Sequence, residues 1–472
     1  MTTELTAKLK AHKPTVIALF QGQLQEQASE QNTQAQIQES RNQHSERLQA
    51  PPEERLLLKQ EQYRADLKLA ESIRPVCAWA YIDTIQPPQH ILLTGATGFL
   101  GVFLLRELLQ QTRAKIHCLV RADSVAKGHH KILDSLHRYQ LCDRALSSEA
   151  QTRIVPVVGD LARPNLGLPP EAFAALSQTI DVIYHNAAWV HHASPYSRLR
   201  DTNVCGTQTL LQLACQAHPK PFHYSSTLSV LPAQLPEGKT RMYEQDPLSQ
   251  YPVPKGGYTQ SKWVAEQLVT QAGDRGLPIT LYRPGPISGH SQTGVFNRDD
   301  FLYRLMQGYI QLGSAPVGEM PLDLLPVDYV SWAMVYLSRQ PRSLGKTFHL
   351  IHPHPVSSEL LFAPLAEAGY SIQRVSYQAW YRQLMAIAHQ DPSHALYPLV
   401  SLFSSRRQTA AQPESTAQAA PSEVPFDCKN TRTALDAAPK PCPALSPGLF
   451  KTYISAMQQA DALPPARAFS SA

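Results

Sequence analysis

The stretch HILLTGATGFLG, residues 90–101, decides the fold of this chain. Its first half is an apolar run typical of a buried β-strand, and a glycine-rich turn leads from it into a helical pattern over residues 99–111. Glycines in such a turn let backbone N–H groups and the positive end of the helix approach a pyrophosphate. We therefore predict a dinucleotide-binding unit. The expected cofactor contacts in this stretch are Thr94, Gly95, Thr97, Gly98, Phe99, Leu100 and Gly101.

Short apolar runs alternate with helical patterns from residue 90 to about residue 288, which is typical of βαβ units and a parallel sheet. We predict an α/β fold with a doubly wound parallel Rossmann-type sheet, a smaller mixed C-terminal substrate lobe and an N-terminal helical segment. The expected divisions are a helical segment or linker at 1–86, a nucleotide-binding domain at 87–288, and a substrate lobe at 289–472 with a mobile insertion at 404–425.

The composition excludes several classes of protein. Lys and Arg number 43 against 38 Asp and Glu, and these charges are scattered along the 472 residues, so we expect no nucleic-acid partner. No apolar window is long enough for a bilayer span and the start lacks a secretory signal, which predicts a cytoplasmic protein with no membrane span. The seven Cys include no Cys-x-x-Cys pair, so we expect reduced thiols and no metal site.

The second predicted strand ends at Arg121. An NAD enzyme usually has Asp or Glu at this place to bind the ribose hydroxyls. A guanidinium is suited to a 2′-phosphate instead, which favours NADP(H) over NAD(H). The alternative is an ordinary surface arginine at the end of a strand.

A second polar pattern follows the fifth predicted strand. Tyr258 and Lys262 are four residues apart in a helical pattern, so they share one helix face, where an ammonium can lower the pKa of a phenol. The polar cluster 225–227 at the end of the fifth strand precedes them. The pattern predicts a proton-transfer site.

Together these motifs resemble the extended short-chain dehydrogenase/reductases, and within them the thioester reductase domains that end nonribosomal peptide synthetases and carboxylic acid reductases. The resemblance runs from about residue 64 to residue 465. It is carried by ILLTGATGFLG, CLVRA, VVGDL, DVIYHNAAWV, TNVCGTQTLL, YSSTLSV, GYTQSKWVAEQLV, LYRPGPISG and FDCKNTRTAL.

The resemblance implies roles for single residues. The glycines of the turn hold the pyrophosphate, Arg121 the 2′-phosphate, Asp160 and Leu161 the adenine, and Asn186, Ala187 and Ala188 lie beside the nicotinamide ribose. The implied catalytic residues are Thr227, Tyr258 and Lys262, with Ser226 or Ser229 as alternatives to Thr227 for the hydroxyl.

The implied activity is an NADPH-dependent reduction of an acyl or peptidyl thioester to an aldehyde, with further reduction to the alcohol left open. Since no carrier domain is recognised in the chain, we expect the thioester on the phosphopantetheine arm of a separate acyl or peptidyl carrier protein, docked with the help of residues 1–86, or on coenzyme A. Such enzymes belong to nonribosomal peptide and polyketide biosynthesis. Other interpretations remain open: a fatty acyl-CoA reductase, a reductase or epimerase of a small carbonyl or sugar, or a cofactor-sensing protein without turnover.

Overall fold

The computed structural model describes residue 63 and residues 65–77, 87–142, 148–191, 194–232, 234–318, 320–391, 393–400, 403 and 425–463. By internal contacts the chain divides into two units, Met1–Lys68 and Leu69–Ala472. Most of the predicted N-terminal helical segment and all but residue 425 of the predicted insertion at 404–425 lie outside the described residues. The division at residue 288 stays a prediction.

A seven-stranded parallel sheet forms the centre of the second unit. This confirms the predicted doubly wound α/β fold. The order of its strands from edge to edge is β3-β2-β1-β4-β5-β6-β11. The strands are β1 His90–Thr94, β2 Lys115–Val120, β3 Ile154–Val158, β4 Val182–His185, β5 Phe222–Ser225, β6 Ile279–Pro284, β7 Ile287–Ser288, β8 Ser314–Pro316, β9 Pro321–Leu322, β10 Leu325–Pro326, β11 Thr347–Leu350, β12 Val356–Ser357 and β13 Gln373–Val375.

Helices cover both faces of the sheet, which explains why β6 is buried at every position. The α-helices are α1 Phe99–Gln111, α2 Val125–Arg138, α3 Ser148–Thr152, α4 Pro170–Thr179, α5 Tyr196–Arg200, α6 Gly206–Cys215, α7 Gly257–Asp274, α8 Phe301–Leu312, α9 Val327–Ser338, α10 Phe362–Glu367, α11 Tyr377–Gln390, α12 Lys429–Leu435 and α13 Pro447–Gln459.

The main apolar core lies between the sheet and the pair α1 and α9. Strand order reverses between β1 and β4, and in open α/β sheets the carboxyl ends of the strands at such a switch point form a ligand crevice. Both β11 and α9 come from residues after 288, so the sequence beyond the predicted boundary also builds the sheet layers.

Residues after 288 form two further apolar cores that share α8. One core joins α8 to α13, and the other joins α8 to α11 around the fully buried Trp380. Three two-stranded pieces, β7 with β10, β8 with β13 and β9 with β12, complete the mixed architecture.

A short N-terminal stretch, residues 69–73, is anchored to the C-terminal end of α7. The Arg275 guanidinium donates hydrogen bonds to the carbonyl oxygens of Leu69, Ala70 and Ile73 at 2.9, 2.6 and 3.0 Å. Leu69 and Ile73 are buried. The compact unit therefore begins before residue 87, at Leu69.

Within the described part of the chain, every helix is too short or too polar to cross a bilayer.

Candidate active site

The glycine-rich turn is shaped by close packing. A Cβ on Gly95, whose φ is +78°, would lie 2.9 Å from the backbone of Ala187, and a Cβ on Gly101 would lie 1.8 Å from the Gly95 carbonyl oxygen. Gly98 caps α1 without a side-chain hydrogen bond, so side chains do not occupy the first-turn amides there. The turn therefore fits a pyrophosphate at the helix N-terminus.

Thr94 joins this turn to the loop after β4. Its Oγ1 accepts the Ala187 N–H at 3.0 Å and lies 2.9 Å from Nδ1 of His185. On the other side of the ring, His185 Nε2 lies 2.9 Å from Oγ1 of Thr207, whose hydroxyl donates to the Asn203 carbonyl at 2.7 Å. Nε2 is therefore the donor and Nδ1 the acceptor, and burial holds the pKa of His185 well below its usual value.

Asn203 ties the loop after β4 to the start of α7. Its amide accepts the Trp189 N–H at 2.7 Å and donates to Oγ of Ser261 at 2.9 Å, and the Ser261 hydroxyl donates to the Tyr258 carbonyl at 2.7 Å. Neither Asn203 nor His185 was predicted from the sequence as a site residue. The TNVCG string was the available signal for Asn203. In the structure Asn203 lies in a π-helical turn over Asp201–Cys205, and such turns often mark functional sites.

Lys262 is 2% exposed, and its ammonium donates to the Ser225 carbonyl at 2.6 Å and lies 4.0 Å from the centre of the Tyr224 ring. Burial lowers the pKa of Lys262 to about 7, while the nearby Glu266 carboxylate raises it. Burial also raises the pKa of Tyr258 to about 12. The prediction that Lys262 lowers the Tyr258 pKa is therefore wrong in this structure, because burial dominates and the ammonium faces a carbonyl. Tyr258 is a protonated hydrogen-bond donor at neutral pH.

Thr227 follows directly after β5 and is half-buried. Its Oγ1 accepts the Ser229 N–H at 3.2 Å and lies 3.1 Å from the exposed Ser229 hydroxyl. In contrast, Ser226 is buried and its hydroxyl donates to the Glu266 carboxylate. This contact disfavours Ser226 as the reacting hydroxyl and leaves Thr227 and Ser229.

Arg121 follows β2 and is exposed. The Lys131 ammonium donates to the Arg121 carbonyl at 3.3 Å, so a second cation, which our sequence analysis missed, lies at the same strand end. Asp160 follows β3, where its carboxylate accepts the Ala162 N–H at 3.0 Å, and Leu161 is buried beside it.

The other predicted cofactor residues follow β4. The Asn186 amide nitrogen lies 2.9 Å from the place of a Cβ on Gly101, so this side chain faces the start of α1. Ala187 and Ala188 are half-buried in the same loop. The predicted residues are therefore aligned along the carboxyl ends of the strands.

A family model described as "Male sterility protein", an NAD-binding family, matches residues 93–334, which is more than half of the chain. The chain belongs to the male sterility protein family. The match covers the glycine-rich turn and the region of Thr227, Tyr258 and Lys262.

Known proteins similar to this chain include a peptide synthase and a reductase. A linear gramicidin synthase protein from Brevibacillus parabrevis is 41% identical over 318 residues, which are 67% of this chain and 6% of that protein. An aldehyde reductase from Aspergillus flavus is 34% identical over 416 residues, which are 84% of this chain and 39% of that protein. The chain therefore spans less than half the length of these two curated relatives.

This chain matches two solved structures over nearly the whole length of each. The terminal R domain from the myxalamid PKS-NRPS biosynthetic pathway is 39% identical with a TM-score of 0.74, over 85% of this chain and 98% of that one. The reductase domain of a nonribosomal peptide synthetase from Mycobacterium tuberculosis is 26% identical with a TM-score of 0.65, over 84% and 99%. The predicted resemblance to thioester reductase domains, and the oxidoreductase class, are confirmed.

The buried ammonium leads to a prediction about stability. Because the pKa of Lys262 is lower in the folded than in the unfolded chain, the charge destabilises the fold at and below pH 7, and the penalty declines as the pH rises. We expect Lys262→Met to raise the free energy of unfolding at pH 7 by about 1 kcal/mol or more, with a gain that shrinks toward pH 10.

Denaturant unfolding at several pH values measures this effect. The exposed Lys127, paired with Asp123, provides the matched control, and Lys127→Met should show no such trend. A Lys262→Met gain that is absent at pH 7, or that grows with pH, would contradict the assignment of a lowered pKa.

Proposed function

We propose that this member of the male sterility protein family is an NADPH-dependent reductase of acyl or peptidyl thioesters bound to a carrier protein or to coenzyme A. It converts the thioester to an aldehyde and a free thiol, and a second reduction would give the alcohol. One observation carries the proposal: α7 brings Tyr258 and the buried Lys262 to the end of β5, where Thr227 follows. The glycine-rich turn follows β1 at the same edge of the sheet, with β4 between β1 and β5.

The residues of the cleft fit the cofactor. The turn and the start of α1 would hold its pyrophosphate, and the strand end at Arg121 its 2′-phosphate. Lys262 would bind the nicotinamide ribose, next to the loop of Asn186. When bound, the reduced nicotinamide supplies a hydride for the thioester carbonyl carbon.

Tyr258 and Thr227 act on the carbonyl oxygen. Tyr258 is protonated at neutral pH because burial raises its pKa, so it donates a hydrogen bond to the oxygen and then its proton. Thr227 accepts from Ser229, which leaves its own hydrogen for the developing oxyanion. The hemithioacetal then loses its carbon–sulfur bond, and the products are an aldehyde and a thiol.

The choice of cofactor gives a first test. Arg121 and Lys131 place two cations at the end of β2, so NADPH should bind more tightly than NADH. A charge-assisted pair contributes about 1.5–3 kcal/mol, or roughly ten- to a hundredfold in affinity. We expect Arg121→Ala to remove most of this preference, measured as dissociation constants for both cofactors.

The control for this test is Arg138→Ala, since Arg138 is an exposed arginine at the far end of α2. It should keep the wild-type preference. Equal affinities for the two cofactors in the wild type, or an unchanged preference in Arg121→Ala, would count against the 2′-phosphate site.

The acid assigned to Tyr258 gives a second test. Tyr258→Phe removes the hydroxyl and with it the transferable proton, so turnover of an acyl thioester should fall about a hundred- to ten-thousandfold while NADPH binding stays nearly intact. NADPH oxidation and aldehyde formation measure the turnover. Tyr243→Phe, at a tyrosine that is 36% exposed, is the matched control. If Tyr258→Phe retains more than about a tenth of the wild-type turnover, Tyr258 is not the acid.

Delivery of the substrate forms the third part of the proposal. Carrier proteins are commonly acidic, and this chain has a formal net charge of +5, so electrostatic steering would favour their encounter and weaken with salt. The N-terminal residues carry no catalytic motif, and we propose that they help to dock the carrier. Since Leu69 is anchored to Arg275, a shortened chain should begin at Leu69.

We expect this shortened chain to lose catalytic efficiency with a carrier-bound acyl group and to keep it with the same group on coenzyme A. The assay compares kcat/KM for both substrates in the full and shortened chains. Equal use of both substrates by both chains would remove the docking role and favour a free acyl-CoA substrate.

A further inference from the structure

Glu266 lies one helical turn beyond Lys262 on α7 and is 1% exposed. One carboxylate oxygen accepts the Ser226 hydroxyl, and the other accepts two nitrogens of the Arg283 guanidinium at 3.0 and 2.5 Å. Both oxygens of this buried carboxylate are therefore satisfied. Such an arrangement is needed to offset the cost of burying a charge.

A second layer of hydrogen bonds holds Arg283. Its guanidinium lies 3.1 Å from Nε2 of His349, and His349 Nδ1 lies 2.7 Å from the Asp427 carbonyl. Because arginine can only donate, Nε2 is the acceptor and Nδ1–H the donor. Burial and the adjacent Arg283 lower the pKa of His349 to about 3, so this ring stays neutral at working pH.

The late FDCKNTRTAL string is joined to the same layer. Glu244, which is fully buried, accepts the His349 N–H at 3.0 Å, the Asn430 N–H at 2.5 Å and the Thr431 hydroxyl at 2.7 Å. Through Glu244 and the Asp427 carbonyl, the string holds both the backbone and the ring of His349, and that ring accepts a hydrogen bond from Arg283.

Helix α7 holds the end of β5 at two consecutive residues. Lys262 binds the Ser225 carbonyl, and Glu266 binds the Ser226 hydroxyl. Thr227 comes next, and its Oγ1 and carbonyl then hold the turn Leu228–Val230. The position of Thr227 relative to Tyr258 thus depends on contacts with the helix that carries Tyr258.

We propose that Glu266 is a positioning residue for the Thr227 hydroxyl and acts through the hydroxyl of Ser226. This inference rests on the proposed function, in which Thr227 touches the carbonyl oxygen. A purely structural role for Glu266 needs only its ion pair with Arg283. The Ser226 contact adds a link to the reacting group that the ion pair does not require.

The test is Ser226→Ala, which removes this link and leaves Glu266 and Arg283 paired. Ser314→Ala is the matched control, because Ser314 is also buried and its hydroxyl donates to the Gln383 side chain in the region after residue 288. Ser226→Ala should lose more stability than Ser314→Ala in denaturant unfolding, because it leaves one oxygen of a buried carboxylate without its donor, and both variants are therefore assayed where they are fully folded. We expect kcat on an acyl thioester to fall about tenfold in Ser226→Ala alone, the scale of one hydrogen bond to a charged group. KM and the NADPH dissociation constant should stay within about twofold.

Hydrogen exchange provides a readout that does not need turnover. In Ser226→Ala the amides of Ser229, Val230 and Leu231 should exchange faster, whereas in Ser314→Ala they should not change. If Ser226→Ala matches Ser314→Ala in both kcat and exchange, the positioning role is overturned. A wild-type protein that reduces no thioester would instead refute the proposed function, and the exchange of these three amides would still decide whether Glu266 holds the loop.

Discussion

The buried ammonium of Lys262 is the constraint on which the rest of the site depends. A charge that is 2% exposed costs several kcal/mol of free energy unless polar groups surround it. The Ser225 carbonyl, the face of the Tyr224 ring and the carboxylate of Glu266 provide those groups. Two of the three belong to β5, so the helix and the strand end must keep one relative position.

The need to pair buried polar groups continues from Lys262 to residues on two further strands. The Glu266 carboxylate needs Arg283 of β6, and Arg283 needs a neutral His349 on β11, the edge strand. The parallel register of β5, β6 and β11 sets the carboxyl ends of these strands side by side. The sheet therefore supports the site with buried polar contacts as well as with its apolar core, and each of these buried polar groups has its partner on a neighbouring element.

Sequence patterns predict the features that depend on local chemistry. The apolar run before the glycine turn gives β1, the helical pattern at 99–111 matches α1 residue for residue, and the four-residue spacing places Tyr258 and Lys262 on one face. Contacts between distant residues were not predictable in this way. Asn203 meets Ser261 across 58 positions, and Leu69 meets Arg275 across 206, with no periodicity to indicate either pair.

The sequence also could not predict the direction in which the pKa values of Tyr258 and Lys262 shift. Spacing shows that an ammonium and a phenol can be neighbours, which led to the wrong expectation for Tyr258. Burial decides whether each pKa rises or falls, and burial depends on the tertiary packing of α7 against the rest of the fold. For the same reason YSSTLSV alone left three hydroxyls open, whereas the contact of Ser226 with Glu266 separates it from Thr227.

In the proposed reaction, hydride reaches the carbonyl carbon of a thioester and the thiol is released. The most direct measurement is a single turnover of an acyl thioester with NADPH deuterated at either face of nicotinamide C4, with the aldehyde trapped as an oxime and the thiol titrated. We expect one deuterium on the former carbonyl carbon from one of the two cofactor isomers, and one thiol for each aldehyde. Thiol release that yields only the carboxylic acid, or an aldehyde without deuterium from either isomer, would contradict it.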